Sequence, residues 1–598
     1  MSLSAFCFYH TGDFEAAAQL YEQLASQEPD VLEYRLYHAQ CLYKAGLYPE
    51  AYRASLQLPQ NQLRTVHLQA TIRYMENNTQ ACRQMLDQCP EEDPEVMTNQ
   101  GCCLFKEGDF EGARKKFTDV ITATGYTPDL AYNIALCYYK MKQFGAALKH
   151  LAEIIERGVR EHPELSVGSA TDGMEVRSVG NSQTLKDTAL VEAFNLKAAV
   201  EFSMKNTEAA QEALTDMPPR SEEELDPVTL HNTALINMDS DPTTGFKKLN
   251  FLLQNPPFPP ETFGNLLLLY CKPTYNFYDL AADVMAENSH LVQQNLPQDV
   301  YDYLDGAILK QSSPEEAFRK FDEIANKHVD VLRRLTKSIQ DARIARNNDA
   351  IRQAITEYDE ALEAYIPGLM AMAHIFWEKE QYSQVERIFR QSAEFCSEHD
   401  VWKLNVAHTF FMQENRYKEA VRYYEPIVKK NAENILDVTA IVLANLCVSY
   451  IMRNQNEDAE ELMRKIEKEE ERMAYQEPDK GVFHLCIVNL VIGTLYCAKG
   501  NFEFGISRII KALEPYNKKL ETDTWFYAKR CLLALIENMA KNMVIVKDST
   551  ILEISHFLSE AERHGKEIYT DLSVDKSEAL TVAQEARRIK KTLLQMNN

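Results

Sequence analysis

Helix-breaking residues are scarce in this chain of 598, with glycine occurring 20 times and proline 22. Each lowers helix stability, by about 1 kcal/mol for Gly and about 3 kcal/mol for Pro. Their scarcity, beside abundant Ala, Leu, Glu and Lys, disfavours sheet-rich folds and disorder and predicts an all-α protein. Positive charge is short as well. Against 89 Asp and Glu stand 64 Lys and Arg, leaving a net charge of −25 at pH 7. Such a surface repels phosphate backbones and anionic lipid, so the expected partners include neither nucleic acid nor membrane. A concentrated basic run, Arg587, Arg588, Lys590 and Lys591, falls in a helical tail and reads as a solvated face.

No stretch approaches the roughly 20 apolar residues of a membrane span; the nearest, Leu485 to Ala498, is interrupted by Asn489. The start, MSLSAFCFYH, lacks the basic segment and apolar run of a secretory leader, which predicts a cytosolic or cytosol-continuous location. The 13 cysteines contain no C-x-x-C and no histidine cluster at metal spacing. Phosphate-cradling loops, the dinucleotide fingerprint, the G-x-S-x-G elbow and H-E-x-x-H are all missing. Nothing nominates an enzyme, a cofactor or a metal. The acidic clusters Glu222, Glu223, Glu224, Asp226 and Glu469, Glu470, Glu471 read as solvated faces.

What the chain does contain is a 34-residue repeat. Ala5, Phe8, Gly12, Phe14, Ala17 and Tyr21 recur 34 residues later as Ala39, Leu42, Gly46, Tyr48, Ala51 and Ser55. Gly101, Leu104, Gly108, Phe110, Ala113 and Phe117 recur as Ala135, Tyr138, Lys142, Phe144, Ala147 and Leu151. This is the tetratricopeptide pattern: small at position 8, large at 11, aromatic at 17, Ala at 20, apolar at 24. Further copies lie at Ala198 with Ala210, Phe376 with Tyr382 and Phe389, Phe411 with Tyr417, Ala420 and Tyr424, Tyr450 with Ala459, and Gly493 with Tyr496, Phe502 and Gly505. Degenerate units fill 64–93 and 226–300. Two helices of about 13 residues are too short to persist alone in water and must stack. The expected fold is a tetratricopeptide-repeat solenoid, a right-handed superhelix of helix pairs.

Three interruptions divide it. The predicted organisation is an array over 1–157 with a truncated first unit, a long loop over 158–187, an array with degenerate units over 188–300, a long-helix spacer over 301–366, an array over 367–521, and capping helices with a tail over 522–598. The loop, carrying Gly168, Gly173 and Gly180, predicts a break in the stacking. Cys7, Cys41, Cys103 and Cys137 all occupy position 10. Equivalent positions lie on the order of 10–20 Å apart, beyond disulfide reach, so these are expected to be small core residues.

In this fold the first helices tend to line the concave face. Position 12 is aromatic in six successive units: Tyr9, Tyr43, Tyr74, Phe105, Tyr139 and Phe202. Position 13 adds Lys44, Lys106 and Lys140. These nine residues are the candidate protein-binding groove, suited to an extended apolar or Pro-rich segment; the alternative is that the rings pack between repeats. Position 9 is Phe6, Gln40, Thr71, Cys102 and Leu136, which lacks the basic side chains and Asn that grip a C-terminal carboxylate in chaperone adaptors.

Six longer segments carry a more specific signal because they include irregular loops. They are EYRLYHAQCLYKAGLYPEA from Glu33, LKHLAEIIERGVREHPELSVG from Leu148, EAAQEALTDMPPRSEEELDPVTLHN from Glu208, NPPFPPETFGNLLLLYCK from Asn255, DVWKLNVAH from Asp400, and HLCIVNLVIGTLYCAKGNFEFGISRIIKALEPYNKKL from His484. Together they resemble the tetratricopeptide repeat protein 30 family, the fleer-type subunit of intraflagellar transport particle B, from about Glu15 to about Gly565. The resemblance implies a non-catalytic ciliary scaffold, located in the axoneme, the basal region and the cytoplasm. Its superhelix would wrap an extended segment of another particle B subunit, above all the fifty-two subunit, with a link to axonemal tubulin polyglutamylation. A second function it allows is an adaptor that recruits a tubulin-modifying enzyme or a kinesin motor. Because Met1 falls at position 4 of a unit and family members carry further helical sequence ahead of it, the first unit is expected to lack its opening turn.

Overall fold

The computed structural model describes residues 1–598 apart from 91, 169–176, 414, 433, 477–481, 543–545, 571–579 and 598. Among the described residues the chain is α-helical with short 3-10 turns, and no strand forms; one isolated antiparallel bridge joins Tyr569 and Thr581. The expected all-α architecture of tetratricopeptide helix pairs is what the structure shows. It divides into two compact units, Met1–Tyr275 with Val284–Leu296, and Asn276–Asp283 with Pro297–Asn598.

Nine of the pairs share one kind of turn. The first helix ends at a residue in the left-handed region at position 15: Gly12, Gly46, Gly108 and Gly500 in four pairs, and Asn77, Lys142, Lys205, Glu380 and Asn454 in others. Glycine takes this conformation without a Cβ penalty, and the turn satisfies the last carbonyls of the helix. The next residue then caps the second helix. Asp13, Asn78, Asp109, Asn206 and Asn501 each accept a hydrogen bond from the backbone N–H three residues on.

The small residues at positions 8 and 20 are buried as the repeat requires, from Ala5 with Ala17 and Ala39 with Ala51 to Ala135 with Ala147. Gly493 and Gly505 take the spacing to its limit. A Cβ on Gly505 would lie 2.6 Å from the Gly493 carbonyl oxygen and 2.6 Å from Cys497 Sγ. Position 24 then fills the space beside position 8: Phe117 sits where a Cβ on Gly101 would lie 2.7 Å from its ring. The cores form between pairs. Ala113, Phe117 and Val120 of one second helix cluster with Leu130, Ile134 and Cys137 of the following first helix, so no pair buries its apolar face alone.

In the first unit the stacking continues where a break was expected. The helix Phe144–Glu161 runs into the expected loop and packs directly on Leu190–Ser203, with Ala147, Leu151 and Ile154 against Ala193, Leu196 and Val200. Gly158 is what permits it, because a Cβ there would lie 2.8 Å from Leu190 Cδ2. Among its described residues, the rest of the 158–187 segment contains a 3-10 turn, Pro163–Leu165, and a short helix, Gln183–Asp187. Gly168 N–H donates to Asp216 O at 2.9 Å and Val179 N–H to Pro219 O at 2.9 Å, tying these two points of the segment to the neighbouring pair. Gly173 lies outside the described residues. Cys41, Cys103 and Cys137 are buried, as expected of small core residues, whereas Cys7 on the first helix is exposed. Cys103 at position 10 meets Cys82 at position 20 of the preceding unit, Sγ to Sγ at 3.3 Å. That contact joins two different repeat positions, so the spacing of equivalent positions does not reveal it.

In the second unit the spacer region contains two 31-residue helices, Pro314–Ile344 and Asn348–Glu378. The latter fuses the spacer with the first helix of the following pair. Pro367 marks the joint, one residue after the helix-start position that proline occupies as Pro94 and Pro128 elsewhere. The chain ends in Thr522–Asn542, Asp548–His564 and Val582–Asn597. They close over a core containing Trp525, whose indole N–H donates to Glu585 at 2.9 Å. The basic run of the last helix is engaged locally, Arg587 with Glu562 and Lys590 with Ser559.

Close packing at the small residues sets a graded cost for filling them. Gly505→Ala, Ala113→Leu and Ala147→Leu should each lower unfolding stability by about 1–3 kcal/mol in urea titration. Gly145→Ala, whose Cβ would meet nothing within 4 Å, should be neutral or stabilise by about 0.5–1 kcal/mol. Equal effects at Gly505 and Gly145 would contradict close approach as the constraint.

Buried histidines make stability depend on pH. Tyr424 Oη lies 2.7 Å from His408 Nδ1, within hydrogen-bond distance, while His231 lies between Thr262 at 3.0 Å and Asn265 at 3.3 Å. Burial lowers the pKa of both. The unfolded chain therefore takes up these protons first as pH falls below about 6.5, and stability drops from there downward. Melting temperature should fall between pH 7.5 and 5.5, and the double variant His231→Gln/His408→Gln should show a shallower fall; an unchanged slope would contradict the assignment.

Candidate protein-binding groove

The left-handed turn at position 15 folds position 12 back onto position 17, and this decides where the aromatic ladder points. Tyr9 meets Phe14 edge-on with centroids at 5.6 Å, Tyr43 meets Tyr48 at 6.0 Å, Phe105 meets Phe110 at 5.2 Å, and Tyr139 meets Phe144 at 6.1 Å. These rings are half-buried against the cores of their own pairs and pair within a unit, not with one another along the ladder. Trp377 and Tyr382 repeat the arrangement in the second unit at 5.1 Å. Where position 17 is not aromatic the ring behaves differently. Tyr74 lies beneath Lys106, whose Nζ is 4.1 Å from the ring centroid and donates to the Tyr74 carbonyl oxygen at 2.6 Å. Phe202, followed by Thr207 at position 17, is left 47% exposed.

Of the three ladder lysines, Lys106 is thus held against the preceding unit, while Lys44 and Lys140 are exposed. Tyr139 Oη lies 3.5 Å from Ser203 Oγ on the next first helix. Burial raises the phenol pKa of Tyr9 and Tyr43 and pushes that of Tyr74 up to about 12, so these rings stay neutral and act as apolar surface with a hydroxyl donor.

The second unit contains a groove that the ladder did not indicate. A cavity of about 610 Å³ runs across successive first helices, floored by Trp377, Phe411, Ile441, Val448, Val491 and Leu495. Met412 and Ile441 are 42% and 41% exposed on it. Among the described residues no carboxylate lines this cavity, in a chain of net charge −25. Its charged or titratable groups there are His408, Tyr417, Tyr527 and Arg530. His408 and Asn445 are tied to the buried Tyr424 hydroxyl, Asn445 donating to it at 3.3 Å. The lining therefore offers contact area and a few fixed polar groups. The register hid this site. Phe411 and Tyr417 are six residues apart, whereas Trp377 and Tyr382 are five apart, so one extra residue in the turn moves Phe411 from the expected position 11 to the groove-facing position 12.

Among the described residues His67, Asp93 and Glu95 bring ligand-type atoms within 4.8 Å of one another. Their present contacts are those of a helix start: Asp93 accepts from the N–H groups of Glu95 and Val96, and Glu95 pairs with His67 Nδ1 at 3.1 Å.

The ladder geometry generates a graded expectation. Phe105→Ala, which removes a half-buried ring from an edge-on pair, should cost about 2 kcal/mol of stability. Phe202→Ala should cost less than about 1 kcal/mol because that ring is already largely in water. Equal losses in a denaturant titration would contradict the pairing of positions 12 and 17.

Residues 262–598 match the model for the intraflagellar transport protein 70 C-terminal domain, and residues 2–170 match that for intraflagellar transport protein 56. The chain is 59% identical to intraflagellar transport protein 70A of Xenopus tropicalis, over 100% of this chain and 93% of that protein. It is 61% identical to intraflagellar transport protein 70A of Danio rerio over 95% and 87%, and 59% identical to intraflagellar transport protein 70B of Homo sapiens over the same shares. With a family model covering more than half of its length and relatives this similar along nearly all of it, the chain belongs to the intraflagellar transport protein 70 family.

Proposed function

We propose that the chain is a non-catalytic scaffold subunit of the intraflagellar transport B particle, holding an extended segment of another particle subunit, above all the fifty-two subunit, against its first helices. The observation that carries this is the apolar groove of the second unit, floored by Trp377, Phe411, Ile441, Val448, Val491 and Leu495, with no carboxylate among its described lining residues. Trp377, Phe411, Val491 and Leu495 stay partly open to solvent and Ile441 is exposed, unlike the residues that stack helix pairs. An extended segment fits because alternate side chains can enter an apolar channel while its backbone stays accessible to polar groups such as Thr494 and Asn445. Ordering such a segment offsets part of the contact energy, so stable binding requires several pairs in series. The ladder residues Tyr9, Tyr43, Lys44, Tyr74, Phe105, Lys106, Tyr139, Lys140 and Phe202 offer the corresponding face in the first unit, with Phe202 its most accessible ring. The family membership supports a place in ciliary transport.

Met412→Glu and Ile441→Glu test the groove. Both side chains are substantially exposed, so stability should change by no more than about 0.5 kcal/mol. Tagged full-length variants expressed in ciliated cells should recover particle B subunits at least about tenfold less efficiently than the parent chain, as burying an unpaired charge in an interface requires. Undiminished recovery by the double variant would exclude this groove as the docking site.

A further inference from the structure

The two long helices of the second unit extend well past the core they help to build. Leu332 is the last buried residue of Pro314–Ile344, and Ala354 is the first of Asn348–Glu378. Between them, from 333 to 353, no residue is buried. From Leu332 to Ile344 the helix rises about 18 Å, so the hairpin forms an arm beyond the core cluster of Phe321, Ile324, Leu332, Tyr365 and Leu369. A solenoid needs no such extension to stack its pairs.

The charge of this arm opposes that of the chain. Residues 333–353 contain six basic side chains, Arg333, Arg334, Lys337, Arg343, Arg346 and Arg352, against two acidic ones, Asp341 and Asp349, within a protein of net charge −25. All six are exposed. Arg333 approaches Asp330 at 3.7 Å. Among the described residues Lys337, Arg343, Arg346 and Arg352 have no ion-pair partner. By contrast, the basic run near the C-terminus is engaged with Glu562 and Ser559. Ile344 stands 82% exposed among the arm's cations, at the end of its helix. Arg333, Lys337, Gln340 and Ile344 are all exposed and share one side of their helix, by the three- and four-residue spacing of a helical stripe.

We infer that the arm is a second interaction surface, separate from the groove, which docks an acidic polypeptide segment carrying an apolar side chain for Ile344. Charge complementarity selects this occupant. Unpaired exposed guanidinium groups match carboxylates bidentately, and an acidic partner repelled by most of this protein's surface would be directed to a projection of opposite sign. The surface does not depend on what fills the groove.

A fluorescein-labelled peptide of three Glu-Leu-Glu-Glu repeats, titrated with the full-length protein and followed by anisotropy, tests the assignment. Binding in 50 mM salt should weaken about tenfold or more in Arg343→Glu/Arg346→Glu/Arg352→Glu, with melting unchanged, and should fall steeply as salt rises to 300 mM. Ile344→Ser should weaken it several-fold without altering the salt dependence. Absence of binding in 50 mM salt, equal binding by the triple variant, or equal binding of a Lys-Leu-Lys-Lys peptide would overturn the inference. So would capture of phosphatidylserine vesicles through these arginines while the acidic peptide stays unbound.

Discussion

Close approach of two helices at small residues is the constraint on which the rest of the structure depends. At Gly493 and Gly505 the backbones meet so closely that a single methyl group would strike a carbonyl oxygen. At Ala5 with Ala17 and Ala39 with Ala51 the same positions carry fully buried alanines. Holding the helices together there places the large residue at position 24 beside position 8, as Phe117 lies beside Gly101. The remaining apolar side chains then turn toward the next pair, and the cores form between pairs, as in the cluster shared by Ala113, Phe117, Leu130 and Ile134. Local stability is thus drawn from neighbours, which accounts for long arrays of helices each too short to persist alone.

The same packing leaves side chains on several first helices partly uncovered. In the second unit these include Trp377, Phe411, Ile441 and Leu495 along one cavity. Its lining is largely apolar and, with no carboxylate among its described lining residues, offers no counter-charge to a basic segment. Polar contacts fix its walls: His408, Tyr424 and Asn445 satisfy one another across successive helices. Burial keeps His408 neutral under ordinary conditions. The proposed scaffold role needs such a surface to be preformed, because rigid walls reduce the entropy lost on binding.

Much of this was legible in the sequence because the repeat is enforced at few positions. The alternation of small and large residues from Ala5 to Leu151 specifies the helix pairs, and the glycines at 12, 46, 108 and 500 mark their turns. Where Lys142, Lys205 and Glu380 take the same left-handed conformation, no turn residue announces it. The ladder was visible as a pattern, but its direction was not, since it depends on whether position 17 offers a ring, as Phe110 does and Thr207 does not. Continuous stacking past Gly158 was hidden because a missing Cβ reads equally as a loop glycine and as a packing glycine. The groove was hidden by a one-residue insertion before Tyr417, which moves Phe411 to a different face of its helix.

Cryo-electron microscopy of the intact particle B assembly containing this chain shows directly whether the groove is filled. Density is expected for an extended polypeptide lying along Trp377, Phe411, Ile441 and Leu495, with side chains entering the cavity. A cavity empty in the assembled particle, with all partners seated on the second helices instead, would contradict that expectation.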